Sequence, residues 1–226
     1  MLEFLPELRE LLLVGAQLGL FPMPADFSGL AHLETAAYRG SDIWLMPTLP
    51  AGVRRLDLSQ NPSLRYRAGV DAVPAQLEAL AIFESPRLGN AELLAMLGGT
   101  RALRELDVGQ CPKIDVDSLD WLLDAGLGAR LEVLSLQGSP SFGDQVTREM
   151  GRLRALRRLN VGATRISGVG VANLVNRPGS RLEWLGLDYC PNVGRDAVEL
   201  AVAAGVQVSN RVERIGAGGR RVRYPE

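Results

Sequence analysis

Histidine and cysteine, two residue types often used in catalysis and metal binding, are scarce in this chain, and their spacing assembles no catalytic or metal-binding motif. His32 is the only histidine, and Cys111 and Cys190 are the only cysteines. A histidine without a serine, cysteine or carboxylate in motif context is far more often a surface residue than a catalytic base. The sequence therefore predicts a protein that is not an enzyme and that binds no metal and no cofactor.

Two short segments resemble functional motifs only in part. Residues 216–221 are rich in glycine and arginine, but the segment lacks the Lys-Ser/Thr, the preceding strand and the following helix of a phosphate-binding loop. Asn61 is followed by Pro62 and Ser63, and a proline at that position excludes N-glycosylation.

Composition limits the class of protein. A hydrophobic fraction of 46% in 226 residues is enough for a packed core, and a net charge of −1 argues against sequence-independent nucleic-acid binding. No apolar run is long enough to cross a membrane, and charged residues interrupt what would be a signal peptide. Two cysteines without an export signal favour a reducing compartment. We therefore expect a cytoplasmic or nuclear protein that binds neither nucleic acid nor membrane.

An apolar pattern recurs along the chain and predicts its architecture. Its form is L-x-x-L-x-L-x-x-N/C, numbered below as template positions one to nine, and eight copies begin 22 to 28 residues apart, at residues 8, 30, 53, 77, 103, 131, 156 and 182. The pattern is that of a leucine-rich repeat, which folds as a strand followed by a helix or turn. It predicts an α/β leucine-rich-repeat solenoid in residues 1–205, with one parallel sheet of about eight strands on its concave face.

Template position nine is small and polar in most copies. A buried hydrogen-bond donor at this position is expected to satisfy carbonyl groups of the neighbouring coil. Proline follows five of these residues and ends the strand. The position-nine residues that carry this prediction are Asn61, Ser85, Cys111, Ser139, Thr164 and Cys190.

The segments between the strands change along the chain. Apolar residues recur at helical spacing in residues 91–97, 114–123, 166–175 and 193–201, which predicts helices behind strands four to eight. The earlier links carry proline, at residues 21–24 and 46–50, and are expected to be extended or tightly turned.

Template position two carries charges of alternating sign in six successive copies. Neighbouring strands lie about 5 Å apart, so each charge is expected to have two opposite partners. Such a row stabilises the register of the coils more than it attracts a ligand. The charged residues are Arg54, Glu78, Arg104, Glu132, Arg157 and Glu183.

The turns that begin at Cys111 and Cys190 resemble those of the cysteine-containing leucine-rich repeats. This subfamily is best known from F-box proteins, and the resemblance covers residues 77–205. It implies repeats that select substrates for a ubiquitin ligase, joined to a ligase adaptor through an N-terminal segment missing before Leu8. Residues 47–85 are similar to the short repeats of secreted bacterial effectors. Two alternatives therefore stay open: a structural subunit of a larger assembly and a fragment of a bacterial effector.

The remaining exposed residues of the strands suggest where a protein partner binds. Aromatic side chains next to arginine are typical of binding hot spots. We expect the partner on the concave face, in contact with Phe83, Glu84, Arg158, Trp184, Asp188 and Tyr189.

Residues 206–226 are predicted to form a C-terminal cap strand and an arginine- and glycine-rich tail. Val206 and Val208 begin a ninth strand, and Arg211 then falls at position nine, where its size and charge end the repeat. The tail is expected either to be a solvated end or to run back along the concave face, with its arginines on Glu183 and Asp188.

Overall fold

The computed structural model describes residues 7–16, 25–114, 120–139, 141–211, 214–215 and 221–222, and its main element is one parallel sheet. Nine strands follow one another in chain order, so each strand pairs with its neighbours in sequence. The prediction of a single parallel sheet is confirmed, with one strand more than the eight copies. The strands are β1 (Glu10–Val14), β2 (Thr35–Arg39), β3 (Arg55–Asp57), β4 (Ala79–Ala81), β5 (Glu105–Asp107), β6 (Val133–Ser135), β7 (Arg158–Asn160), β8 (Trp184–Gly186) and β9 (Gln207–Ser209).

Helices lie behind the sheet only after β4, as predicted, within the residues that the structure describes. They are α1 (Asn90–Gly98), α2 (Asp120–Asp124), α3 (Asp144–Thr147) with a 3-10 helix at Glu149–Arg152, α4 (Gly168–Val175) and α5 (Arg195–Ala203). Residues 46–50 form no helix, and Thr48 forms a parallel bridge to Asp26. The proline-containing link at residues 21–24 lies outside the described residues.

The core is a stack of equivalent apolar side chains from successive coils. Leu56 pairs with Leu80, Leu80 with Leu106, and the same register continues to Leu185, all of them at most 2% exposed. Since alternate residues of a strand face opposite sides, positions three and five point to the concave face.

The second copy of the template has a different register from the predicted one. Thr35 pairs with Arg55, so this copy starts at Leu33 and uses Ala36, Tyr38 and Ser41 at positions four, six and nine. Alanine and tyrosine replace leucine at positions four and six of this copy. The predicted register, which starts three residues earlier, matches the leucine pattern better but is wrong. His32 consequently lies in a turn before β2 and is exposed, as expected of a surface residue.

The last strand is also shifted, by two residues. Val208 pairs with Leu185, which places Val206 at position two and Glu213, not Arg211, at position nine. Gly205, at φ +82°, occupies position one, where other copies have an apolar side chain. The apolar residues Val206 and Val208 alone therefore predict the wrong register. Glu213 lies outside the described residues. Beyond it, Arg214–Ile215 (β10) pairs antiparallel with Arg221–Val222 (β11).

Position nine supplies buried donors to the preceding coil, as predicted. Cys111 Sγ donates to the Ile82 carbonyl (3.1 Å), and Cys190 Sγ donates to that of Val161 (3.2 Å). Both carbonyls belong to position six of the coil before. Thr164 differs, because its hydroxyl donates to Val161 of its own coil at 2.6 Å.

Asn61 makes the largest set of these hydrogen bonds. Its Nδ2 donates to the carbonyls of Tyr38, Leu58 and Ser59 at 2.6, 2.8 and 3.0 Å. Its Oδ1 accepts from the backbone N–H groups of Ser41 and Ile43. One side chain thus satisfies backbone groups of two coils.

Position eight adopts a left-handed backbone conformation in every copy that the structure describes there. φ lies between 52° and 69° at Gly15, Gly40, Gln60, Glu84, Gln110, Gly138, Ala163 and Tyr189. Each of these residues donates its backbone N–H to the position-seven carbonyl of the next coil, at 2.6 to 3.1 Å. This conformation disfavours residues other than glycine. The repeated bond between coils maintains it at the five positions without glycine.

The alternating charge row is present and extends further than predicted. Arg9 and Glu34 occupy the same position in the first two coils and pair at 3.0 Å. Arg54 pairs with Glu78 (2.7 Å), Arg104 with Glu132 (2.5 Å), and Arg157 with Glu183. The prediction of two partners for each charge is wrong. Each guanidinium points to the glutamate of the following coil, and no ion pair links one couple to the next among the described residues.

We predict that Asn61→Ala lowers the free energy of unfolding by about 3 kcal/mol or more, because several buried backbone groups lose their partner at about 1–3 kcal/mol each. Ser85→Ala is the matched control, since Ser85 makes one long bond of 3.4 Å to the Leu58 carbonyl. Urea unfolding of both variants measures the two losses in the free energy of unfolding. Equal losses would contradict the role of Asn61 as the main partner of these backbone groups.

We predict energetic coupling within, but not between, the couples of the charge row. A double-mutant cycle of Arg104 and Glu132 is expected to give a coupling energy of up to about 1 kcal/mol, as for other exposed pairs. The cycle of Glu78 and Arg104 is the control and is expected to give none. Equal coupling energies in both cycles would show that each charge interacts with both neighbouring charges of the row.

Candidate functional site

The concave face contains a hollow over β2 to β6. Small side chains, among them Ala37, Ala79, Ala81 and Ser135, line a cavity of about 360 Å³. Larger side chains at positions three and five would fill this space, as Trp184 does further along the sheet. The hollow is therefore a direct result of residue size at the outward positions of these strands.

Charged side chains in two ion pairs line the same hollow. Arg39 pairs with Asp57 of the next strand. Arg55 binds Glu105 in a bidentate manner, at 3.0 and 3.3 Å, although β4 lies between their strands. Arg55 can extend across β4 because Ala79 has no side chain large enough to obstruct it. These pairs fix the positions of four charges beside the small residues.

Asp107 adds a carboxylate that has no ion-pair partner among the described residues. Its Oδ1 accepts from the Gly109 backbone N–H at 3.0 Å. Burial raises the pKa of Asp107, and the Asp57 carboxylate raises it further, while hydrogen bonds from Gly109 and Ser135 act in the opposite direction. The lining of the hollow thus contains three carboxylates and two guanidinium groups.

The turn at Asp107 does not itself require a charge. Asn160 accepts from the Gly162 N–H in the same way, at 3.1 Å, and Asp57 accepts from that of Ser59 at 2.9 Å. An amide therefore serves the backbone as well as a carboxylate does. The charge of Asp107 is left available to a ligand.

Arg158 and Trp184 form a second feature of the concave face. They are paired residues of β7 and β8, and the Arg158 guanidinium carbon lies 5.3 Å from the centroid of the indole ring. The ring lies over Gly186, where an added Cβ would be 2.6 Å from Trp184 Cη2. Glycine at this position therefore allows the ring to lie along its own strand.

Asp188 and Tyr189 lie at the end of the same coil as Trp184. Asp188 Oδ1 accepts from the Ser209 hydroxyl (2.8 Å) and from the Arg211 backbone N–H (2.7 Å). Asp188 thus attaches the last coil to the sheet. Tyr189 is 45% exposed. The tail arginines predicted to contact Glu183 and Asp188 lie outside the residues whose side chains are described, and Glu183 is paired with Arg157.

Phe83 and Glu84 belong to a separate part of the face. Phe83 packs against Gly109, where an added Cβ would meet its ring at 2.9 Å. Glu84 accepts from Gln60 Nε2 at 3.0 Å. At about 4.8 Å per strand, this coil lies roughly 15–20 Å from Arg158 and Trp184. The six predicted partner-binding residues therefore form two patches, with Phe83 and Glu84 closer to the hollow.

Sequence reasoning did not identify the hollow. The available signal was the size of the residue at position five, which is alanine or serine in coils two, four and six, with aspartate in the coils between. Large aromatic side chains, on which the predicted contact residues were based, mark where a surface protrudes.

The two cysteines are buried structural residues, as predicted. Both are free thiols. Burial raises the pKa of Cys111 to about 11 and also raises the pKa of Cys190. Within the described residues, no group of three or more metal-ligating side chains occurs, and no helix is long and apolar enough to cross a membrane.

Comparison with known proteins supports the fold. No protein-family model and no curated protein matches this sequence. The structure is similar to the TLR13–ssRNA13 complex, with 16% identity, a TM-score of 0.53 and coverage of 93% of this chain and 36% of that chain. An internalin (InlF) of Listeria monocytogenes has 20% identity, a TM-score of 0.44 and coverage of 95% and 65%. The mouse RP105/MD-1 complex has 15% identity, a TM-score of 0.37 and coverage of 85% and 41%.

This chain spans about a third of the length of the TLR13 chain. At such identity the likeness concerns the fold alone. The stack of parallel strands, together with the likeness to the leucine-rich-repeat chain of TLR13, identifies the fold as an α/β leucine-rich-repeat solenoid.

We predict that Asp107→Asn stabilises the protein at neutral pH and has little effect in acid. Because the folded-state pKa of Asp107 is raised, the folded protein binds more protons than the unfolded chain just above pH 3.8, and stability falls as pH rises through that window. The difference in unfolding free energy between variant and parent is measured from about pH 3 to about pH 7. Asp57→Asn, which breaks the ion pair with Arg39, is the control. A pH-independent difference for Asp107→Asn would contradict this prediction.

Proposed function

We propose that this chain is a scaffold that binds a protein partner on its concave face and performs no chemistry itself. The observation that carries the proposal is the hollow over β2 to β6. Its volume of about 360 Å³ is in the range that holds a bound group, and its floor is made of small side chains. A protruding side chain of a partner fits there without displacing the backbone.

The charges around the hollow favour a partner that inserts a basic or polar side chain. Three carboxylates face two guanidinium groups, and each guanidinium already has an acidic partner. A cation placed beside Asp107 balances the remaining carboxylate. The same charge balance disfavours a nucleic-acid ligand. TLR13 is bound to single-stranded RNA in the structure named above, and this chain is proposed to differ from it in that respect.

Arg158 and Trp184 are proposed as the second contact of the partner, with Tyr189 at its edge. A large aromatic ring held by an arginine is typical of a binding hot spot. Phe83 and Glu84 are proposed to contact the partner beside the hollow. Asp188 supports this surface from behind by attaching β9.

Within this proposal, the finer role is substrate selection for an F-box-type ubiquitin ligase. Cys111 and Cys190 support it, because both occupy position nine of a repeat with a helix behind it. The alternatives are a permanent structural subunit and a fragment of a bacterial effector. The role implies a cytoplasmic or nuclear location and a ligase adaptor as second partner. Co-purification of the native protein with an adaptor supports the ligase role, and a stoichiometric complex without one supports the subunit.

We predict that a photoreactive side chain placed at residue 135 cross-links the partner in cells, whereas one at residue 169 does not. Ser135 lines the hollow, and Val169 is 62% exposed on a helix behind the sheet. Cross-links from residue 169 alone would contradict a concave binding site.

Once the partner is identified, filling the hollow tests the site directly. Ala81→Trp is expected to weaken binding at least about tenfold, which is about 1.4 kcal/mol, with the unfolding midpoint unchanged. Val169→Trp is the control. Unchanged affinity of the Ala81→Trp variant would show that the partner does not bind in the hollow but at the Trp184 patch or elsewhere.

A further inference from the structure

A second cavity lies at the edge of the solenoid, away from the hollow. It is formed by three consecutive loops that lead into the N-terminal ends of β6, β7 and β8, and its volume is about 450 Å³. Its described lining consists of Ala129, Gly151, Arg154, Ala155, Arg177, Pro178, Gly179 and Arg181. The described lining therefore contains three arginines and no acidic residue.

None of the three arginines forms an ion pair with another described residue. This contrasts with Arg104 and Arg157 of the charge row, whose glutamate partners lie in the next coil. Like charges gathered at one cavity repel one another unless an anion lies between them. A bound anion would supply the partner that no described acidic residue provides to these three arginines.

Arg177 is the most constrained of the three. The Ser180 N–H donates to the Arg177 carbonyl at 3.0 Å, with Pro178 and Gly179 between them and φ +72° at Gly179, as in a type II turn. The stem of Arg177 passes Gly151, where an added Cβ would lie 3.4 Å from Arg177 Cδ. This side chain is half-buried, and burial lowers its pKa with no anion acting against the effect.

We propose that this cavity, the arginine pocket, binds a phosphate group, either as the free ion or as a phosphomonoester. A dianionic phosphate offers several acceptor oxygens to guanidinium groups, which bind such oxygens in a bidentate manner. A carboxylate carries one negative charge and leaves more of the positive charge unbalanced. The group reaches the pocket as free phosphate, on a small metabolite or on a phosphorylated side chain, because the chemistry recognised is the same. The pocket is independent of the hollow and of any partner bound there.

Isothermal titration of the intact chain with sodium phosphate and with O-phospho-L-serine, at constant ionic strength, tests the proposal. Saturable binding to one site is expected for at least one of them. Arg177→Gln and Arg154→Gln are each expected to weaken it at least about tenfold, which is about 1.4 kcal/mol. Arg177→Lys is expected to retain part of the affinity, since it keeps the charge and loses the bidentate geometry.

Arg101→Gln is the matched control. Arg101 and Arg154 both lie two residues before the first leucine of a repeat, and both donate a backbone N–H to the preceding coil, at 2.9 and 2.8 Å. Unchanged affinity in this variant, together with losses in the pocket variants, supports the proposal. Tighter binding of phosphoserine than of phosphate indicates an esterified ligand, and the reverse indicates the free ion.

Three results would overturn the proposal that the arginine pocket binds phosphate. These are the absence of saturable binding of either phosphate compound, equal losses in the Arg101 and Arg177 variants, and binding of single-stranded RNA without binding of the monophosphates. Melting of each variant without ligand establishes that folding is intact. Because Arg177 is exposed enough to be replaced by glutamine without a cavity, a folded variant that loses binding is the expected outcome.

Discussion

The structure depends on the fact that no coil can satisfy its own backbone polar groups. A strand of three residues pairs only with the coils on either side, and each buried amide or carbonyl left unpaired costs about 1–3 kcal/mol. The chain meets this requirement in three places along each coil. The short strand supplies the first set of bonds, and the left-handed residue at position eight donates to the next coil. At position nine, the side chain donates to the preceding coil at Ser41, Asn61, Ser85, Cys111 and Cys190. Coils are therefore stable only as a stack.

Because the backbone polar groups are satisfied between the coils, the side chains of the concave face are free to vary. The side chains at positions three and five take no part in the backbone hydrogen bonds between coils, so alanine, tryptophan and charged residues all occur there. The hollow and the Trp184 patch are both consequences of that freedom. Their residues differ in size, while Leu56, Leu80 and Leu106 behind them keep the same register.

Much of the scaffold was predictable from the sequence because the inward positions have strict requirements. Leucine spacing located most strands, and small polar residues at position nine indicated the donors to neighbouring coils. Prediction was wrong where other apolar residues replaced leucine, as at Ala36 and Tyr38, and where Gly205 stood at position one. A pattern of residue types cannot distinguish two registers that match almost equally well, whereas the pairing of Thr35 with Arg55 decides between them.

The candidate sites were harder to predict because they depend on how far a side chain extends across the sheet. The alternating signs at position two indicated a row, but the direction of each guanidinium decides that Arg104 belongs with Glu132. Likewise, Arg55 skips a strand to bind Glu105 only because Ala79 is small. Where the chain balances its charges in this way, they stabilise the fold and offer little to a ligand. Asp107 in the hollow and the three arginines of the arginine pocket are not balanced by an ion pair among the described residues. They have opposite signs and lie on different surfaces, so a basic protein segment and a phosphate group would not compete for the same place.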